Sequence, residues 1–157
     1  MVAKKTGFIL LLVFSTTTLI DLKKIFISSD HAGYKLKEHI KLYLNKKKIK
    51  CTDLGPDNSK SVDYPLYAHK LAKKVKMSNK YIGILVCGSG TGMCITANKY
   101  KNIRAAQCFS LKSTKLSRLH NDANVITLGE RLISKKKACS FISIFLNTKF
   151  EGGRHLR

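Results

Sequence analysis

IGILVCGSGTGMCITAN, running from Ile82 to Asn98, joins a buried strand, a glycine loop and the start of a helix. Ile82 to Val86 is a short apolar run rich in branched side chains, the pattern of a strand covered on both faces. Gly88, Gly90 and Gly92 follow at alternate positions, and a helical segment begins at about Met93. Glycines expose backbone N–H groups without a Cβ in the way, and a helix start is partly positive, so such a loop suits an anion. Cys87 stands where strand becomes loop. Amides and a helix start both stabilise negative charge on sulfur. One reading is a base beside a ready-made anion hole. The other is a buried cysteine next to an ordinary glycine turn, and this stretch alone leaves both open.

Working outward, the chain alternates strand and helix. Lys24 to Ser29 is a strand ended by Asp30-His31-Ala32-Gly33, and Tyr34 to Asn45 has helical spacing through Leu36, Ile40 and Leu44. Ile49 to Leu54 is a second strand, closed by a loop from Gly55 to Ser59. Asp63-Tyr64-Pro65 opens a helix to about Met77, with Asp63 as a cap and proline in the first turn. After the central strand, the glycine-loop helix ends near Lys99. Ile103 to Cys108 is the fourth strand, Ser110 to Leu119 a helix, Val125 to Leu128 the fifth strand, and Ser134 to Leu146 the last helix, capped by Ser134. Five alternations predict an α/β fold with a five-stranded parallel sheet and helices on both faces. Ligands of such sheets bind outside the carboxyl ends of the strands. That rule puts Asp30, His31, Cys87, Ser89 and Arg131 on one rim.

The nucleotide readings of a glycine loop fail on detail. The pattern is GxGxG after the third strand, and no Asp or Glu occurs between Asp63 and Asp122 to hold a ribose. Met93-Cys94 stands where a Walker loop needs Lys-Ser/Thr. No cofactor and no metal is expected. The 157 residues, 44% hydrophobic, fit one domain with a full core. The net charge of +21 raises nucleic-acid binding. The lysines are spread over helix faces instead (Lys35, Lys37, Lys41, Lys46, Lys47, Lys48, Lys70, Lys73, Lys74), so they read as solvated surface and no nucleic-acid partner is expected. Such a surface draws in phosphorylated metabolites. Five cysteines without CxxC spacing argue for reduced thiols in a reducing, cytoplasmic setting. Residues 1–22 stand apart. Lys4 and Lys5 precede an apolar run from Phe8 to Phe14, signal-like but too short to span a membrane and without a small-x-small site. They read as a disordered or mis-assigned leader before a domain of residues 23–157, and no membrane partner is expected.

With these residues in place, the chain resembles the type B ribose-5-phosphate isomerases, a family shared with galactose-6-phosphate and allose-6-phosphate isomerases. The matching segments are SSDHAGYKLKEHI (Ser28 to Ile40), DLG (Asp53 to Gly55), VDYPLYA (Val62 to Ala68), GILVCGSGTGMCITANK (Gly83 to Lys99), IRAA (Ile103 to Ala106), LSRLHNDANVITLGERL (Leu116 to Leu132) and EGGRH (Glu151 to His155). The resemblance implies a Rossmann-like three-layer sandwich and metal-free interconversion of ribose 5-phosphate and ribulose 5-phosphate in the pentose phosphate pathway. It also implies a homodimer or homotetramer with sites shared between subunits. Cys87 would be the base moving a proton between C2 and C1, with Ser89 beside the reacting carbons. Amides of Gly88, Gly90, Thr91 and Gly92 would hold the enediolate. His120 would open the furanose ring, with Asn121 beside it. Asp30 and Tyr64 would bind sugar, and His31, Arg131 and Arg154 phosphate. The family pattern continues past GGRH to a second phosphate-binding arginine and a terminal helix. Arg157 stands one place short of that arginine and is the candidate to replace it. The alternatives are a six-carbon phosphosugar isomerase and a non-catalytic phosphosugar- or nucleic-acid-binding protein.

Overall fold

A computed structural model describes residues 23–157; the expected leader lies outside them. Five strands, β1 (Lys24–Ser29), β2 (Cys51–Asp53), β3 (Tyr81–Cys87), β4 (Ala105–Gln107) and β5 (Val125–Gly129), form one parallel sheet in the order β2-β1-β3-β5-β4. Five α-helices connect and cover them: α1 (Tyr34–Lys46), α2 (Tyr64–Val75), α3 (Thr91–Ala97), α4 (Leu111–Leu119) and α5 (Lys135–Asn147). A 3-10 turn, Gly153–His155, follows. The three-layer sandwich expected from the alternation is present.

Side-chain alternation along the strands divides the core. Ile25, Ile27, Ile84, Val86, Ile126 and Leu128 face α1 and α5, packing on Leu36, Ile40, Leu44, Phe141 and Phe145. Phe26, Leu85, Cys87 and Val125 face α2 and α3, packing on Ala68, Leu71, Val75, Met93 and Ala97. Cys87 therefore points to the side covered by α2 and α3.

The edge strands are shorter than their apolar runs. β2 keeps three residues of Ile49 to Leu54 and β4 three of Ile103 to Cys108, because each pairs on one side only. β3 runs one residue further at each end, so Cys87 is its last residue. Among the caps, Ser134 accepts from the Lys137 N–H, and Ser110 forms a reciprocal capping box with Ser113. Asp63 occupies the N-cap of α2 without a side-chain bond.

One lysine contradicts its surface reading. Lys37 is fully buried; its Nζ donates to Asp53 at 2.7 Å and to the Pro56 carbonyl at 2.7 Å. Lys41 reaches the same carboxylate at 2.6 Å. Helical spacing places Lys37 one residue after Leu36, on the edge of the apolar face, and Asp53 at the end of β2 completes its solvation. Among the described residues no helix is long and apolar enough to cross a membrane.

Candidate active site

β3 delivers Cys87 to the carboxyl end of the sheet, where the residue is 5% exposed. The chain then turns through Gly88 and Ser89. Gly90 has φ +85°, a left-handed conformation that favours glycine, and its N–H donates to Cys87 Sγ at 3.0 Å. A main-chain donor aimed at sulfur stabilises negative charge there. Thr91 opens α3, its N–H on Ser89 Oγ at 3.3 Å.

The neighbouring strand ends complete a cavity of about 400 Å³, lined by Asp30, His31, Ala32, Tyr64, Cys87, Gly88, Ser89, Gly92, Arg131 and Leu132. All five residues expected on one rim are there. Asp30, following β1, also accepts the Gly33 N–H at 2.8 Å, which fixes the turn leading into α1, while lining the cavity. His31 Nδ1 sits 3.2 Å from the Val62 N and 3.1 Å from the Val62 carbonyl, which fixes its ring. Arg131 is tied down by its N–H on the Gly88 carbonyl at 3.1 Å, next to the Glu130 N–H on the Cys87 carbonyl at 2.9 Å. A Cβ at Gly88 would lie 3.2 Å from the Arg131 guanidinium carbon, so cation and loop are in contact. A Cβ at Gly92 would lie 2.8 Å from the Tyr64 ring, which therefore packs against the start of α3.

His120, Asn121, Arg154 and Arg157 are not in this cavity. α4 runs back against the strands and ends at His120, near the amino end of β5. Val125 pairs with Gly83 there, whereas Gly129 pairs with Cys87 at the other end. Four strand steps, about 13 Å, separate the two ends. The C-terminal tail lies with His120. The Glu151 N–H donates to the Leu119 carbonyl at 3.0 Å, His155 stacks on His120 at 4.2 Å, and Glu151 Oε2 is 3.8 Å from His120 Nε2. These three residues hold potential ligand atoms within 4.8 Å of one another. The imidazoles are stacked only 12° from parallel. Imidazole lone pairs lie in the ring plane, so the rings must rotate before both can reach one ion at the usual 2.0–2.1 Å or so.

Several polar neighbours were not singled out from sequence. Gln107, ending β4, donates from Nε2 to the Ser89 carbonyl at 2.8 Å and bonds Thr91 Oγ1 at 3.0 Å. The strand-end rule that found Arg131 also applies to Gln107. Glu130 accepts the Leu36 N–H at 3.0 Å, pinning the end of β5 to the first turn of α1.

The family model described as Ribose/Galactose Isomerase matches residues 25–157. A protein of Escherichia coli (strain K12) described as ribose-5-phosphate isomerase B is 40% identical over 134 residues, covering 85% of this chain and 90% of that one. The probable ribose-5-phosphate isomerase B of Mycoplasma genitalium is 44% identical over 135 residues, with 85% and 89% covered. Among solved structures, ribose-5-phosphate isomerase B of Mycoplasma genitalium with bound ribulose-5-phosphate superposes with TM-score 0.82 at 43% identity, covering 85% of this chain and 90% of that one. The Thermotoga maritima enzyme gives 0.83 at 46% identity, with 86% and 93% covered. A match that runs from the first core strand to the last residue, through the sulfur-bearing loop and the histidine turn alike, makes this chain a member of the ribose/galactose isomerase family.

Proposed function

We propose that the chain interconverts ribose 5-phosphate and ribulose 5-phosphate with Cys87 as the base. In the open aldose, Cys87 takes the C2 hydrogen as a proton. The C–H electron pair becomes the C1=C2 bond and the carbonyl pair moves to O1. Amides of the Gly88 to Gly92 loop steady the enediolate. A proton passes from O2 to O1, and Cys87 returns its own proton to C1, leaving the carbonyl on C2. Ser89 flanks the reacting carbons, and Asp30 and Tyr64 meet sugar hydroxyls. His31, Arg131 and Arg154, with Arg157, meet the phosphate, whose charge calls for cations. His120 opens the furanose ring with Asn121 beside it. The observation that carries the reading is the Gly90 N–H on Cys87 Sγ inside a cavity edged by Arg131 and His31.

The site is assembled from two copies of the chain, in a homodimer or a tetramer of such pairs. The 13 Å or so between the sulfur and histidine ends of one sheet supports this, as do the exposed Leu132 and Tyr64 at the cavity mouth. The setting is the cytoplasm, where five free thiols persist.

Replacing Cys87 by alanine tests the base. Turnover of ribose 5-phosphate should fall roughly 10²- to 10⁴-fold while the phosphosugar still binds; near-normal turnover removes Cys87 from the role. Comparing ribose 5-phosphate with galactose 6-phosphate and allose 6-phosphate decides the carbon number, and faster turnover of a six-carbon sugar replaces the substrate named here.

A further inference from the structure

Asp122 has φ +44°, unusual for a residue with a Cβ. It follows His120 and Asn121 directly, and two arginines hold it. Arg104 Nη2 donates to Asp122 Oδ2 at 2.9 Å, and Arg118 Nη1 to Asp122 Oδ1 at 2.8 Å. Arg104 also holds the backbone of the same turn, its Nε donating to the carbonyls of Asn121 at 3.1 Å and Asp122 at 2.8 Å. Its own backbone joins in: the Arg104 N–H donates to Asn124 Oδ1 at 2.8 Å, and its carbonyl accepts the Asn124 N–H at 3.1 Å. Arg104 thus grips the backbone of Asn121 and Asp122 and, with Arg118, the carboxylate of the one residue of the turn whose φ local preference disfavours. Such strain persists only where surroundings over-determine it, and it clusters where geometry matters.

We propose that Arg104 is a positioning residue for ring opening, setting the His120–Asn121 turn through Asp122 and two main-chain carbonyls. The inference rests on His120 being the ring-opening group. Arg118 is buried and also bonds the carbonyls of Ala123 and Thr148, so it belongs to the framework. The Arg104 side chain is 46% exposed, so its removal leaves the core intact. Its work is confined to the turn.

The test compares Arg104→Ala, His120→Ala and the double variant, using ribose 5-phosphate with hydrogen or deuterium at C2. In Arg104→Ala, kcat/KM falls roughly 10- to 100-fold, and the deuterium isotope effect is no larger than in the native enzyme, because the slowed step precedes C–H cleavage. In the His120→Ala background, Arg104→Ala adds nothing further, since the two act through one group. An isotope effect that rises in Arg104→Ala overturns the proposal, as does an undiminished loss in the His120→Ala background, or native activity. His120→Ala with native turnover and isotope effect instead sinks the ring-opening role itself. If Arg104→Ala does not fold, Asp122→Asn takes its place under the same criteria. Asparagine tolerates positive φ but lacks the charge that both arginines grip.

Discussion

Mixing two inactive variants should restore activity, for a reason that starts from the strand register and in an amount set by random subunit pairing. Val125 and Gly129 mark the two ends of β5, and the sulfur sits at one end while the imidazole of residue 120 belongs to the other. The distance of about 13 Å exceeds the hydrogen-bond reach of roughly 3 Å that general acid–base groups require of their substrate. That offset along the sheet favours the two-copy site proposed above. In the symmetric dimer proposed above, each pocket would take Cys87 from one subunit and His120 from its partner. Cys87→Ala and His120→Ala dimers are each defective in both pockets. In a mixed dimer one pocket carries both lesions and the other carries neither. Random pairing makes half the dimers mixed, each with one intact pocket of two, so about a quarter of native activity returns. The assay is a coupled measurement of ribulose 5-phosphate formation after co-expression, with each variant alone as baseline. Specific activity of the co-expressed mixture that equals the mean of the two baselines refutes the shared pocket.

Two glycines separate backbone from side-chain clashes. A Cβ on Gly33 would lie 2.4 Å from the Val86 carbonyl oxygen, so Gly33→Ala should destabilise by about 2 kcal/mol or more in denaturant melts. In Gly92→Ala the obstacle is the half-exposed Tyr64 ring, which can swing away; stability should fall by less than about 1 kcal/mol while KM rises. Lys37→Met should lower stability by about 3 kcal/mol, because it leaves the Pro56 carbonyl and half of the Asp53 partnership unmet. Burial pushes the Asp53 carboxyl up, but hydrogen bonds from Lys37, Lys41 and the Gly55 N–H outweigh it and hold it below its ordinary value. That stability is complete above an unfolded pKa of about 3.9 and is lost as pH falls through the lower folded value. Denaturation series from about pH 6 to pH 3 should show an acid limb that Asp53→Asn flattens.

The alternation of strand and helix was legible because each strand of a doubly covered sheet is a continuous apolar run, and each helix repeats its apolar face every third or fourth residue. The extent of β2 and β4 was not, since an edge strand stops where its single neighbour stops, and pairing is not written in either run. The rim of Asp30, His31, Cys87, Ser89 and Arg131 could be read because a parallel sheet sends every strand end to the same side. Contact between Gly92 and Tyr64 depends on how α2 leans over the loop, which no local pattern carries. Lys37 was misread for a related reason. Composition makes lysine a surface residue, and only the fold brings Asp53, sixteen positions away, under its ammonium.

α1 starts just after the cavity-lining residues Asp30 to Ala32, and two of the amides at its start are taken. Asp30 accepts from Gly33 and Glu130 from Leu36. Two carboxylates thus occupy the seat that a free helix start offers to a passing anion. Recruitment of the dianionic sugar then falls to guanidinium and imidazole groups, whose long-range pull fades as dissolved ions thicken around them. Affinity in this enzyme should accordingly track ionic strength, whereas the speed of the bound complex should not.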